Sequence, residues 1–578
     1  MIRDRPPQLS ITAQSAMPPY LHLRCPVLPR VSCEMRALLV LACLVISTAR
    51  VPLQEFSSSK GPLQNVIHLR LPGAEDIIVV GGRNALYKLS AENVSLLATY
   101  VTGPEDDSLL CRPSPYYCNH TRPRVDNDNQ VLLQLPSPHV LACGTISQGM
   151  CAVHRPLEGL TVAEPMYVGS TINYVASRVS TVAFFGTGDN RNVLFVASTY
   201  DGRPPEYHPY AVSARVLDEG NVFRMRSSAA RGSSFVNVIG RYKRKHKIRY
   251  LHGFSHKGFA YFVAVQKGLQ SPMAPETRLA RVCENDTSFR TYTEILITCG
   301  SGNHQYTNAS SAAYGPHTAD DGSSDKVLLV AFALHDENGT KNSRSKFALC
   351  LFHLDRIEGE FRDTIKNCND GKQEAARWSR LFNNGDELTC QVYKPRSDDM
   401  CLPGINNYIE GVAPLLGTSM VTLRSAVTSL TVTQQNQAIV AWVGDQKGNL
   451  HKYVISGKLM RLTPLWTYQI ASVPIERATA VDHDGSHGYF LTGNSVIRFP
   501  IGSCIVYKAC SDCLQKTEDP LQCGWCHDRC ARSNECPKGK QVVSDRCPII
   551  VNDVSGNLYA LLCCIKQHGY NHFSALEL

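Results

Sequence analysis

The stretch Thr277–Cys299 reads TRLARVCENDTSFRTYTEILITC and lies near the middle of the 578-residue chain. Its second half, Thr291–Cys299, is almost entirely β-branched, aromatic or aliphatic, which suits a pleated, half-buried surface. Asn285-Asp286-Thr287 is an N-glycan acceptor sequon, so that turn is expected to face solvent. The stretch also holds two cysteines, Cys283 and Cys299. A β element with paired thiols and a sugar site belongs in an oxidising compartment. A cytosolic strand pair with two core thiols and a chance sequon is the competing reading. The rest of the chain has to decide between them.

Towards the N-terminus, Met35-Arg36 precedes the apolar run Ala37–Ile46, ALLVLACLVI, and Ser47 and Ala49 follow at cleavage spacing. This is the layout of a secretory signal peptide. Residues 35–49 are therefore expected to be the signal, and the proline-rich residues 1–34 an upstream segment with translation starting at Met35. No later apolar run approaches membrane-spanning length; Leu558–Ile565 is far too short. The mature chain is expected to be secreted, or to be the ectodomain portion of something longer. Of 23 cysteines, ten lie between Cys111 and Cys401, eight between Cys504 and Cys547, and Cys563 and Cys564 form a last pair. Each group is even, as disulfide pairing requires. Sequons at Asn93, Asn119, Asn285, Asn308 and Asn338 share the large region. The net charge of +9 is mild for this length, with no basic tail or aromatic–basic stripe, so nucleic acid is not expected as a partner.

Between Val66 and Pro500 short apolar runs alternate with Gly, Asn and Asp. Strand groups are read at Ile77–Leu89, Val140–Val153, Val193–Tyr200, Ile248–Gln266, Val327–Leu354, Ile439–Ile455 and Tyr489–Phe499. In Ile248–Gln266, Phe259, Tyr261, Val263 and Val265 point one way, and Ala260, Phe262 and Ala264 the other. Both faces are apolar, so this strand is covered on both sides. Ser255–Gly258 reverses the chain, with glycine where positive φ is cheap. Many short antiparallel groups over this length predict a β-propeller, which leaves few exposed edges. An array of β-sandwiches is the alternative, but no linker divides the region into units of the required size. Val66–Leu69 is expected to complete the last blade and close the ring. A short helix is expected over Gly371–Leu381, tied down by Cys368 and Cys390.

After residue 502 the composition changes. Ser503–Pro548 is dense in cysteine and too small to hold itself by apolar burial, so it depends on crosslinks. Cys510-x-x-Cys513 and Cys523-x-x-Cys526 also fit a zinc ribbon, but the leader implies an oxidising route and four further cysteines must be paired. Residues 549–578 carry no pattern.

Several motifs together resemble the plexins, receptors for semaphorins, over about Val66 to Pro548. They are VVGGRNALYKLS (Val79–Ser90), TGPEDDSLLC (Thr102–Cys111), DNDNQVLL (Asp126–Leu133), LACGTISQGMC (Leu141–Cys151), STVAFFG (Ser180–Gly186), GFSHKGFAYFVAVQ (Gly253–Gln266), FALCLFHLDRI (Phe347–Ile357) and DPLQCGWC (Asp519–Cys526), with the central stretch. DNDNQ and STVAFFG lean towards the B-type. The resemblance implies an all-β chain: a seven-bladed sema propeller over residues 50–502, then a small disulfide-rich PSI module over 503–548. It also implies the pairings Cys111–Cys118, Cys143–Cys151, Cys283–Cys401, Cys299–Cys350 and Cys368–Cys390. In the module it implies Cys504–Cys523, Cys510–Cys547, Cys513–Cys530 and Cys526–Cys536. Spacing alone does not choose among the connectivities. Plexins continue into further modules, a membrane span and a cytoplasmic GTPase-activating region that this sequence does not contain, so the resemblance covers only the ligand-binding head.

No G-x-S-x-G elbow, H-E-x-x-H, P-loop or dinucleotide fingerprint occurs, so neither catalysis nor a cofactor is expected. Asp482–His487, DHDGSH, reads as an Asp-Gly turn rather than a metal cluster. The basic run Arg241–Arg249, RYKRKHKIR, reads first as a solvated strand end or loop, whose lysines discourage edge pairing. It also offers a dibasic processing site ending at Arg244 and an attraction for heparan sulfate. By resemblance a semaphorin would dock on blades three and four, within Ser180–Gln266; no motif there assigns contact residues. Two other readings stay open: a secreted semaphorin-like ligand, and the ectodomain of a Met/Ron-like receptor tyrosine kinase. Against the former, Ser288-Phe289 stands where semaphorins usually carry paired glycines.

Overall fold

Strands Arg249–His256 and Phe259–Lys267 show how this sequence builds a blade. They are joined by Lys257 and Gly258, with φ of 46° and 78°. Two left-handed residues form the tight turn whose twist matches that of antiparallel strands. Residues Ala260 through Val265 are all buried, so both faces of the second strand are covered, as its apolar alternation predicts.

The computed structural model describes residues 51–547 apart from short internal stretches, the longest being 335–346. The expected signal, upstream segment and tail, and the sequon at Asn338, lie outside the described residues.

Pro52–Cys547 form one compact unit. Five separate sheets have four strands each, and a ten-stranded sheet contains two further quartets. The result is the expected seven-bladed propeller. In order, the inner strands of the blades are Leu63–Leu69, Val131–Gln134, Thr181–Gly188, Arg249–His256, His304–Thr318, Val427–Gln435 and Thr479–Val481. Apolar clusters fill the spaces between successive blades; one joins blades three and four through Val182, Phe195, Phe262 and Val282.

Two local expectations are corrected. The strand that closes the ring is Gln54–Ser57, which pairs with Ser495–Phe499 at the outside of blade seven. Val66–Leu69 belongs instead to the inner strand of blade one, paired with Ile77–Gly82. QEFS is an exposed edge with almost no apolar signal, whereas the more apolar Leu63–Leu69 lies deeper in the sheet. The helix also lies one segment earlier than expected. Leu354–Asn369 is helical, with Leu354, Ile357, Phe361, Thr364 and Cys368 buried at helical spacing. Gly371, at φ 76°, ends it by donating to the Cys368 carbonyl at 3.0 Å. Ala376–Trp378, inside the predicted helix, is a strand paired with Ile409–Leu416.

These pieces belong to an insertion between the third and fourth strands of blade five. Its strand Ile409–Leu416 runs parallel to Thr293–Ser301, the outer strand of blade four. The insertion therefore covers an edge that would otherwise be open.

The cysteine-rich module has a short helix, Cys510–Gln515, and a hairpin, Gly524–Cys526 with Arg529–Ala531. Its core is little more than Tyr507, Leu521, Trp525 and sulfur, packed on Trp466 of blade six. At the same junction Lys452 of blade six and Asp519 are both fully buried, 2.8 Å apart.

Candidate ligand-binding edge at blades three and four

The region in which docking is expected, 180–266, spans blade three and the inner half of blade four. Hydrogen bonds lock these blades together at two places. At the start of the inner strand of blade three, Ser180 Oγ meets Thr199 Oγ1 at 2.5 Å, Thr199 donates to the Ile248 carbonyl at 2.5 Å, and Tyr250 N donates to Ser180 Oγ at 3.0 Å. At the other end of that strand, the buried Glu284 accepts from Thr187 N at 2.9 Å and Thr187 Oγ1 at 3.3 Å. Its backbone carbonyl accepts from the Arg226 guanidinium. A Cβ on Gly186 would lie 2.4 Å from the Glu284 carboxylate, which explains the glycine ending STVAFFG. The sequence carries no sign of this role for Glu284, which directly precedes the sequon turn expected to face solvent. The next residue, the sequon asparagine Asn285, is exposed.

The basic run connects blade three to blade four. Gly240–Lys243 forms a single helical turn, anchored where Ile239 N donates to the Leu381 carbonyl of the insertion at 2.9 Å. Tyr242 packs against the interblade cluster and lies edge-on to His246, ring centroids 5.3 Å apart. Arg241, Arg244, Lys245 and Lys247 point to solvent. Among the described residues, Arg244, Lys245 and Lys247 have no carboxylate partner. Burial first, then Lys267 and Lys245, push His246 below its usual range, and burial pushes Lys243 down. This loop is a ridge of positive charge on a firm base, with Arg244, Lys245 and Lys247 having no carboxylate partner among the described residues. Arg244 lies in a hydrogen-bonded turn in which His246 N donates to the Tyr242 carbonyl at 2.8 Å.

Nine disulfides join the described cysteines. In the propeller they are Cys111–Cys118, Cys143–Cys151, Cys283–Cys401, Cys299–Cys350 and Cys368–Cys390. In the module they are Cys504–Cys523, Cys510–Cys547, Cys513–Cys530 and Cys526–Cys536. Cys504, Cys523 and Cys530 are close enough to suggest a metal set, but each sulfur is already in a disulfide, so the zinc-ribbon alternative loses its ligands. The sequon asparagines Asn93 and Asn119 are exposed, whereas Asn308 is half-buried and its side-chain oxygen accepts from Arg249 at 3.3 Å. Asp482 accepts from His487 N at 2.9 Å across the DHDGSH turn, and the same carboxylate is held down to about 2, burial being outweighed by these bonds.

A family model for the sema domain matches residues 310–481. Mouse plexin-A4 is 27% identical, the alignment covering 89% of this chain and 29% of that protein. Rat plexin-A3 is 28% identical, over 81% of this chain and 26% of its own length. The chain thus spans under a third of these curated relatives. They are A-type plexins, whereas DNDNQ and STVAFFG lean towards the B-type. The solved extracellular region of plexin A4, domains 1 to 8, superposes with a TM-score of 0.74 at 25% identity, covering 84% of this chain and 55% of that one. Drosophila semaphorin 1b shares the fold at a TM-score of 0.53 and 14% identity, covering 88% and 98%. Sequence similarity along most of the chain and the closed propeller agree: the chain has a sema-type propeller and is similar over most of its length to the N-terminal part of plexin extracellular regions.

Proposed function

We propose that this chain is the ligand-binding head of a plexin-like cell-surface receptor that recognises semaphorins in guidance and migration signalling. The observation that carries the reading is similarity to plexin extracellular regions in both sequence and fold, well beyond the fold-level likeness to a semaphorin. A solved complex of Drosophila plexin A with semaphorin 1b is among the structures that share the fold. On this reading residues 35–49 are the leader, 50–502 the sema propeller and 503–548 a PSI neck, all extracellular. No helix among the described residues is long and apolar enough to cross a membrane. The role is recognition rather than catalysis, on loops held by a rigid scaffold.

The basic ridge between blades three and four, where Arg244, Lys245 and Lys247 have no carboxylate partner among the described residues, supports an acidic protein partner at that edge. The purified chain, immobilised, is tested by surface plasmon resonance against a semaphorin panel and against growth factors of the plasminogen-like class. Saturable binding to a semaphorin is expected. Binding to the growth factors alone would transfer the chain to the Met/Ron-like reading. Reversing Arg244, Lys245 and Lys247 to Glu is expected to slow association at least tenfold and to flatten its salt dependence. Heparan sulfate is a second candidate for the same ridge, on the strength of the four outward-pointing cations. A heparin column separates the readings: retention lost in the triple variant while semaphorin association is unchanged would favour the glycan.

A further inference from the structure

The seven inner strands surround an open channel of about 450 Å³, with wall residues from every blade. Among the described residues that wall contains no carboxylate. Its cation is Arg477, just before the inner strand of blade seven. The side chain is reached by solvent yet hemmed in by protein on most sides, as expected for a channel lining. Its Nη1 reaches blade four and donates to the carbonyls of Tyr250 and Leu251, both at 3.3 Å. Among the described residues, no acceptor takes the hydrogens on Nε and Nη2.

The charge is also unneutralised. Both partners of Arg477 are neutral carbonyls, and no acid contributes to its ionisation; burial and Arg249 both lower its proton affinity. Glu476, next in the chain, is pushed up by burial alone and so is not paired with the guanidinium. Arg249 is not a wall residue, but its charge lies near enough to act on Arg477, and its own acceptors are neutral: Asn308 Oδ1 at 3.3 Å and the Ala309 carbonyl at 2.8 Å. His252 lines the channel and accepts from Tyr314 N on Nε2 at 3.2 Å, which leaves Nδ1 carrying the proton. Thr431 and Thr479 face each other on the wall and bond hydroxyl to hydroxyl, leaving one hydroxyl hydrogen unused. Partly desolvated positive charge without a counterion is costly, and a guanidinium edge with parallel N–H groups matches an oxyanion in geometry.

We propose that the central channel is an oxyanion site, in which the Nε–Nη2 edge of Arg477, assisted by His252 on the wall, holds a phosphate or sulfate group. The group is either a free inorganic ion or the sulfate of a glycan chain end.

The test is calorimetric titration of the purified chain with inorganic phosphate, at ionic strength held constant with chloride. One-to-one binding is expected, with affinity at least tenfold lower in Arg477→Gln. Arg477→Lys, which keeps the charge and loses the fork, is expected to fall between the two. Melting in chloride alone shows that the variants are folded. If Arg477→Gln does not fold, the Lys variant carries the comparison. Equal affinity in wild type and variants, or no phosphate binding by the wild type, overturns the proposal. A sulfated heparin oligosaccharide forms the second arm. If its binding also weakens in Arg477→Gln, the group comes from a glycan; if only phosphate discriminates, the site takes the free ion.

Discussion

The junction of head and neck gives the sharpest prediction. Lys452 and Asp519 are both fully buried, with Nζ 2.8 Å from Oδ1. Asp519 also accepts from Tyr507 Oη at 2.6 Å and from Leu521 N at 3.0 Å. Lys452 lies 5.5 Å from the centre of the Trp442 ring. Lys452→Met keeps most of the side-chain volume but leaves a carboxylate buried without its cation. Removing one member of such a pair costs about 3–5 kcal/mol. The double variant Lys452→Met/Asp519→Asn leaves no orphaned charge and keeps a side-chain oxygen for the Tyr507 hydroxyl and Leu521 N, so it is expected to recover part of that loss. The cost should appear locally, as separation of the module from blade six. Hydrogen exchange of amides in 504–536 is therefore the assay. At about 1.4 kcal/mol per tenfold, the single variant should exchange roughly two to three orders of magnitude faster, and the double variant less so. Trp466 and Trp525 remain in the junction in both, so apolar burial is held constant. The reasoning is refuted if the double variant exchanges as fast as the single one, or if Lys452→Met leaves protection unchanged.

Four further outcomes are expected. Gly149 has φ 74°, and a Cβ there would lie 2.0 Å from the Ala176 carbonyl oxygen, so Gly149→Ala should cost roughly 3 kcal/mol in denaturant unfolding. Glu294 is buried beside Arg278, Glu276, Glu410 and Tyr292; burial raises its carboxyl to about 7 from 4.5, so the folded chain holds a proton that the unfolded chain releases. That contribution is complete below about pH 4.5 and lost as pH rises through about 7, a loss of about 3 kcal/mol that Glu294→Gln should flatten in melts across this range. Removing the Cys283–Cys401 bridge, which closes 118 residues, as a double Ser variant should cost about 4–5 kcal/mol, the largest loss of any bridge in the propeller on loop length. Arg244 lies in a hydrogen-bonded turn that a processing protease would have to unwind, so a reducing gel of the folded chain should show one full-length band; two stable fragments ending at Arg244 would contradict this.

What the sequence disclosed followed the strength of the apolar signal. Ile248–Gln266 was legible because both of its faces are apolar, and so were the hairpins at Ile77–Leu89 and Tyr489–Phe499, whose glycine or asparagine turns mark reversals. The closing strand was not, because QEFS lies at an exposed edge and is chosen by pairing rather than burial. The helix was misplaced because GKQEAARW is helix-favouring by composition, while the apolar spacing that decides the matter lies in LDRIEGEFRDTIKNC. Buried charges were the least visible. Nothing in ARVCENDT distinguishes Glu284, which binds blade three, from a solvated acid, and nothing in NLHKYV marks Lys452 as meeting an aspartate 67 residues away. Arg477 is a similar case: its position across the channel depends on the ring closing.

Disulfides and the insertion also constrain how this edge can recognise a partner. An exposed sheet edge invites an extended peptide to add as a further strand. On blade four that route is occupied, because Ile409–Leu416 already pairs with the outer strand Thr293–Ser301. Cys283–Cys401 anchors the far end of the insertion beside the same blade, and Cys299–Cys350 joins it to blade five. Peeling the insertion strand away would break its ladder while both ends stay tethered. If a partner docks at this edge as proposed, its recognition would fall to side chains presented by the blade three–four connection rather than to main-chain pairing with blade four. On so rigid a base those side chains need little reordering on contact, which spares affinity the ordering cost and leaves charge to set the rate of encounter.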